Sequence, residues 1–93
     1  MDDRVLRQRR GLVRSYRFVV TTHADDELDG DGLTIFDVER CILTGRIVER
    51  QKDQDTSEWK YLVQGQTLAD DQMAVVCKLG PTGKAVVITA YAA

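Results

Sequence analysis

At Gly45 the hydrophobic period of this chain changes, and that change restricts the fold more than any motif does. Before it, Ile35, Val38 and Ile42 recur at helical spacing, with Cys41 beside them and Asp37, Glu39 and Arg40 on other faces. After it, apolar and polar residues alternate in "RIVERQ", "WKYLVQGQ", "MAVVCKL" and "KAVVITAY", the pattern of half-buried strands. The links between these runs, "KDQDTSE", "TLADDQ" and "GPTG", are short and polar. Parallel neighbours would need long crossovers, so the four runs are predicted to form an antiparallel meander.

Upstream, "YRFVVTT" (16–22) is dense in β-branched and aromatic residues and reads as a first strand. Thr22 is expected to N-cap a short helix, His23 to Asp29, that Gly30 ends. Thr34 opens the main helix with Asp37 at capping-box spacing, and Gly45 is expected to supply a left-handed exit. The predicted architecture is therefore α+β: an antiparallel sheet with an N-terminal strand, two helices packed on one face, then a four-stranded meander. Ninety-three residues allow one core. Residues 16–93 read as a single α+β domain, and residues 1–15 as a basic N-terminal segment, helical or flexible.

That segment carries Arg4, Arg7, Arg9, Arg10 and Arg14, and Arg17 follows, against Asp2 and Asp3. A basic arm can attract phosphates, but its plainer and favoured role is a solvated, frayed terminus. A third reading puts Val5, Leu6, Leu12 and Val13 on one side of a docking helix, which Gly11 weakens. With 43% hydrophobic and 30% charged residues the balance is that of an ordinary globular domain. Apolar runs are too short for a membrane span, and "MDDRVLRQRRGLVRSYR" lacks the apolar core of a secretory signal, so a cytoplasmic location without membrane contact is expected. Cys41 and Cys77 lie far apart in apolar patterns and read as buried reduced thiols.

The most motif-like stretch is "ELDGDGLTIFDVE" (27–39), which resembles a calcium loop. With Gly32 at the loop's glycine position, Glu27, Asp29 and Asp31 fall on the early ligand positions. The closing bidentate acid should then stand at Val38, and Glu39 comes one residue late. On a helix that is a turn of about 100°. No metal site is predicted; the acids suit helix N-terminal turns instead. "LGPTGK" has a hairpin's spacing and lacks the Walker pattern, so no cofactor is predicted either.

The order of elements, with "THADDELDGDGLTIFDVERCILTGRIVE" and the terminal "VVITAY", resembles the bacterial family known as domain of unknown function 4258. His23-Ala24 matches the family's His-Ala at the end of the first strand. Gly32-Leu33-Thr34 matches its turn, and Ile88-Thr89-Ala90-Tyr91 its last strand. Glu27 and Asp31 stand where that family tends to place arginines, which reverses the attraction to phosphate. In element order the family is similar to RelE- and BrnT-like toxins. The resemblance therefore implies a small ribonuclease of a toxin–antitoxin pair, with RNA and an antitoxin as partners.

Metal-independent RNA cleavage needs a base, an acid and cationic or donor groups around the phosphorane. The candidates for catalysis are His23, the only histidine, with Tyr91 and Thr89 two residues apart on the last strand. Arg46, Arg50, Lys60, Lys78 and Tyr61 are candidates for substrate binding. Each has a plainer role: a helix-capping His, a half-buried strand Tyr, lysines on a solvated face. A binding-only module stands beside the enzyme reading, using a sheet edge or the basic segment to engage a partner protein or a second copy in a homodimer.

Overall fold

Among the described residues (3–14, 18–55, 58–80 and 83–93) the computed structural model has three helices and five strands. In chain order they are α1 (Asp3–Arg14), β1 (Phe18–Val20), α2 (Thr22–Gly30), α3 (Ile35–Thr44), β2 (Arg46–Lys52), β3 (Trp59–Gln66), β4 (Gln72–Leu79) and β5 (Ala85–Ala92). The strands form one sheet in the order β1-β5-β4-β3-β2. The side chains of Leu12 and Val13, the strand start at Tyr16 and Arg17, and Pro81 of the last turn lie outside the described residues.

The α+β class and the meander hold, with one correction. The sheet is mixed, because β1 runs parallel to β5, Phe18 opposite Ala85 and Val20 opposite Val87. Short polar links dictate antiparallel pairing only between consecutive strands. β1 and β5 are joined through the whole intervening chain, so the hairpin argument never applied to them.

The helices share one face of the sheet. Val63, Met73, Val75, Cys77 and Val87 point there and are fully buried, against Ala24 and Leu28 of α2 and Val38, Cys41 and Ile42 of α3. Burying each of the larger aliphatic side chains contributes roughly 1.5–3 kcal/mol, and this layer is the core. Ile35, expected on the buried stripe of α3, is instead 42% exposed at the first turn.

Two glycines let α3 approach β3 at backbone distance. A Cβ at Gly65 would fall on the Cys41 backbone, and one at Gly45 on the carbonyls of Gln64 and Cys41. Gly45 is extended (φ −90°, ψ −175°), so the predicted left-handed exit is wrong: close approach, not positive φ, requires glycine there. The exposed carbonyls at the end of α3 are taken by α1, as Arg10 Nε donates to Ile42 O (3.1 Å) and Arg10 Nη2 to Gly45 O (2.7 Å). A guanidinium suits the negative end of the helix dipole. Part of the basic segment is thus spent inside the fold, with Leu6 and Arg9 of α1 buried beside it.

The α2 cap is Thr21, one residue earlier than predicted, with its hydroxyl accepting from Ala24 N at 3.1 Å. Thr21 N also donates to Val87 O, so β1 ends where the helix begins. The Thr34–Asp37 capping box is present as read. Asp37 is buried, and its second carboxylate oxygen accepts from Leu68 N at 2.9 Å, which ties the β3–β4 turn to the start of α3. Burial pushes the Asp37 carboxyl up, but the hydrogen bonds from Leu68 and Thr34 outweigh it and leave the pKa lowered.

Candidate functional site

The face of the sheet turned away from the helices carries the chemistry. Pairing sets its rows: Thr89, Val76, Leu62 and Glu49 run across β5, β4, β3 and β2, and Tyr91, Ala74, Gln64 and Arg46 form the next. A groove of about 160 Å³ lies here, lined by Glu49, Gln51, Lys60, Leu62, Val76 and Tyr91. Tyr91 is 37% exposed, so its ring forms a wall rather than core. Lys60 is half-buried with Nζ 3.1 Å from Asp53 Oδ2, and Lys78 on the same face pairs with Glu58 Oε2 at 3.2 Å. Gln51 Nε2 donates to Glu49 Oε1 at 2.9 Å.

Of the residues singled out in the sequence, Tyr91 and Lys60 meet in this groove, and Thr89, Lys78 and Arg46 share its face. Arg50 and Tyr61 do not. A β-bulge between Ile47 and Glu49 shifts the register, so Arg46 pairs with Gln64 but Arg50 pairs with Tyr61. In a regular strand residues four apart share a face; the extra residue puts Arg50 on the other one. Arg50 lies over the Trp59 ring (5.0 Å to the centroid), and Tyr61 is buried beneath Arg9 (5.3 Å). Sequence reasoning missed Glu49 and Gln51. Nothing in "RIVERQ" announces a bulge, and without it these two could not be assigned to a face.

His23 stands at the β5 flank, exposed on the first turn of α2, with Nε2 3.1 Å from Glu27 Oε1. The same Glu27 oxygen accepts from Ala90 N (3.4 Å), the neighbour of Tyr91, and Asp31 Oδ2 accepts from Ala92 N (2.9 Å). β1 covers only the first half of the β5 edge. Past it, carboxylates from α2 and the turn after it supply the acceptors that a longer strand would have provided. This is a definite role for two acids of the calcium-like stretch. Among the described residues no group of three or more His, Cys, Asp or Glu side chains is arranged to hold a metal ion.

Both cysteines are free and buried on the helix side. Burial pushes the Cys41 thiol up to about 12, and raises that of Cys77 against the opposing charge of Arg9. Neither is a ready nucleophile. No described helix is long and apolar enough to cross a membrane.

Compared with known proteins, the chain matches one family model, described as Domain of unknown function (DUF4258), over residues 20–92. No curated protein and no solved structure matches it.

Proposed function

The chain belongs to the DUF4258 family, and from that premise we propose that it is a small toxin-like ribonuclease that works without a metal, with the groove of the uncovered sheet face as its site. The observation that carries this reading is the convergence of Tyr91, Lys60, Glu49 and Gln51 in one concave place. Each has a role in transesterification. The Glu49 carboxylate takes the proton of a ribose 2′-hydroxyl, whose oxygen attacks the adjacent phosphorus. The bond to the 5′-oxygen breaks, and the Tyr91 hydroxyl protonates the leaving oxygen, giving a 2′,3′-cyclic phosphate and a 5′-hydroxyl. Lys60 and Gln51 donate to the non-bridging oxygens as charge develops there. Arg46, Lys78 and Thr89 extend the face along the strand, and His23 contacts RNA at the β5 flank.

The test is expression in bacteria and incubation of the purified protein with RNA. Growth arrest and cleavage by the wild type, lost in Tyr91→Phe and in Glu49→Gln, support the reading; an inert wild type refutes it. Cleavage that survives both variants moves the chemistry elsewhere.

A second reading has its own observation. Ile35 (42%), Phe36 (60%) and Leu68 (62%) are exposed together where Asp37 ties the β3–β4 turn to α3. Such a patch suits a non-catalytic interaction module that self-associates or holds an antitoxin-like partner. A dimer by light scattering that Phe36→Asp dissolves, with no RNA cleavage, would favour it.

A further inference from the structure

A second cavity, of about 290 Å³, lies on the helix side of the sheet, lined by Val5, Gln8 and Arg9 of α1, Glu58, Trp59 and Tyr61 of the β3 segment, and Leu79 of β4. The ribonuclease reading makes no use of it. Trp59 is 42% and Leu79 38% exposed, so an aromatic and an aliphatic surface face open space together. The Trp59 ring carries cations from β2: Arg50 Cζ is 5.0 Å and Lys52 Nζ 6.0 Å from its centroid. β2 and β4 flank β3 on opposite sides, so Arg50 and Lys52 come to the ring from β2 and Leu79 of β4 completes the cavity lining.

Arg9 supplies the second, independent observation. Its residue is 4% exposed, it lines the cavity, and its Nε meets no hydrogen-bond acceptor among the described residues. Its Nη1 donates to Gln8 Oε1 at 2.8 Å, its guanidinium lies over the Tyr61 ring, and the side chain also hydrogen-bonds the Cys77 thiol, so Nε is the donor left over. A buried donor left unsatisfied costs about 1–3 kcal/mol, which a bound acceptor would recover.

We propose that this cavity binds a purine mononucleotide with an amino-bearing base. The ring system stacks between Trp59 and Leu79, a sequence-tolerant contact available to any flat heterocycle. Arg9 Nε donates to a ring nitrogen, and the Glu58 carboxylate, while paired with Lys78, also accepts from the exocyclic amine. The phosphate extends past the edge of the Trp59 ring toward Arg50 and Lys52, which hold that ring from β2. The volume lies just below the usual range of ligand sites (about 300–1,000 Å³), which suits one small molecule whose phosphate stays outside, and not a folded polymer.

Trp59 is the only tryptophan in the chain, so its fluorescence reports on this cavity alone. The experiment titrates the full-length protein with adenosine 5′-monophosphate, adenosine, and inorganic phosphate. Saturable quenching by the monophosphate, about tenfold weaker for adenosine and absent for phosphate, is expected. Arg50→Ser/Lys52→Ser, both on the surface, should weaken the monophosphate about tenfold and leave adenosine unchanged. Arg9→Met should abolish both; if it does not fold, the surface pair decides. No saturable quenching up to millimolar monophosphate, equal quenching by phosphate alone, or a double variant that binds like wild type would overturn the site. Tyr91→Phe, on the opposite face, should leave the titration unchanged, and a shift there would place binding in the other groove.

Discussion

On the helix-covered side of the sheet, Val63, Met73, Val75, Cys77 and Val87 are wholly shielded, whereas the same strands turn Lys60, Leu62, Val76, Lys78 and Tyr91 toward a side no described helix covers. The first surface is uniform and close-packed, and glycines 45 and 65 exist there to let backbone meet backbone. The second is mixed. Its half-buried lysines share the face with Leu62 and Val76 and are held by Asp53 and Glu58 at the hairpin end. Side chains that keep a polar tip while their stems shield apolar surface make such a face stable without a lid. The difference teaches where to look for function: beneath α2 and α3 the layer is packed and admits no ligand, so the candidates are the face kept by ion pairs, whose groups can change partner, and the α1 end of the covered side, where the packing gives way to a cavity.

Variants at either side should separate the two. The largest effect is expected for Gly65→Ala, since the new methyl meets the backbone of Cys41, which no rotamer change can clear. A loss of about 3 kcal/mol in denaturant unfolding is predicted; a tolerated Gly65→Ala would mean that α3 does not press on β3. Tyr91→Phe is the counterpart on the open side. Under the proposed ribonuclease reading, RNA cleavage by this variant should fall about 100-fold, roughly 2.7 kcal/mol of barrier, with stability within about 0.5 kcal/mol of wild type.

Asp37→Ala removes a cap and the latch to Leu68 together, and should cost about 1–2 kcal/mol. The sign with pH follows from its lowered folded pKa. The stabilisation is present above the unfolded value of about 3.9 and is lost as pH falls through the folded one. The wild-type advantage over Asp37→Ala should therefore shrink only below about pH 4, and a gap that closes near neutrality would point to a different group.

Glu27→Ala leaves Ala90 N without its carboxylate and should cost about 1 kcal/mol, with faster amide exchange at Ala90 than at Val87. His23→Ala, at an exposed pair, should change stability by less than about 0.5 kcal/mol. A larger loss would mean that the imidazole helps hold the β5 edge.

The order of elements, the meander and the capping box were all legible in the sequence, because each rests on local chemistry: period, turn composition, a Thr three residues before an Asp. The failures share one cause. Gly45 was assigned to a left-handed exit because glycine most often serves that need, yet what it meets is Gln64, nineteen positions along the chain. Arg46 and Arg50 were grouped by even spacing, and one bulged residue separated them. Glu27 and Asp31 read as surplus acid until the edge of β5, some sixty residues away, showed what they accept.

From residue 18 on, the sequence by itself determined which segments are helix and which are strand, since hydrophobic period and turn residues act over a few neighbours; that residues 3–14 form a helix was decided by what they dock against. Only the tertiary structure decided that β1 lies parallel to β5, which strand face each charged side chain joins, and that Tyr91 lines one groove with Lys60 and Glu49 while Trp59 meets Arg50 on the other side. Those outcomes depend on register and on contacts between residues distant in the chain, and a single shifted pairing reverses the face of every residue beyond it.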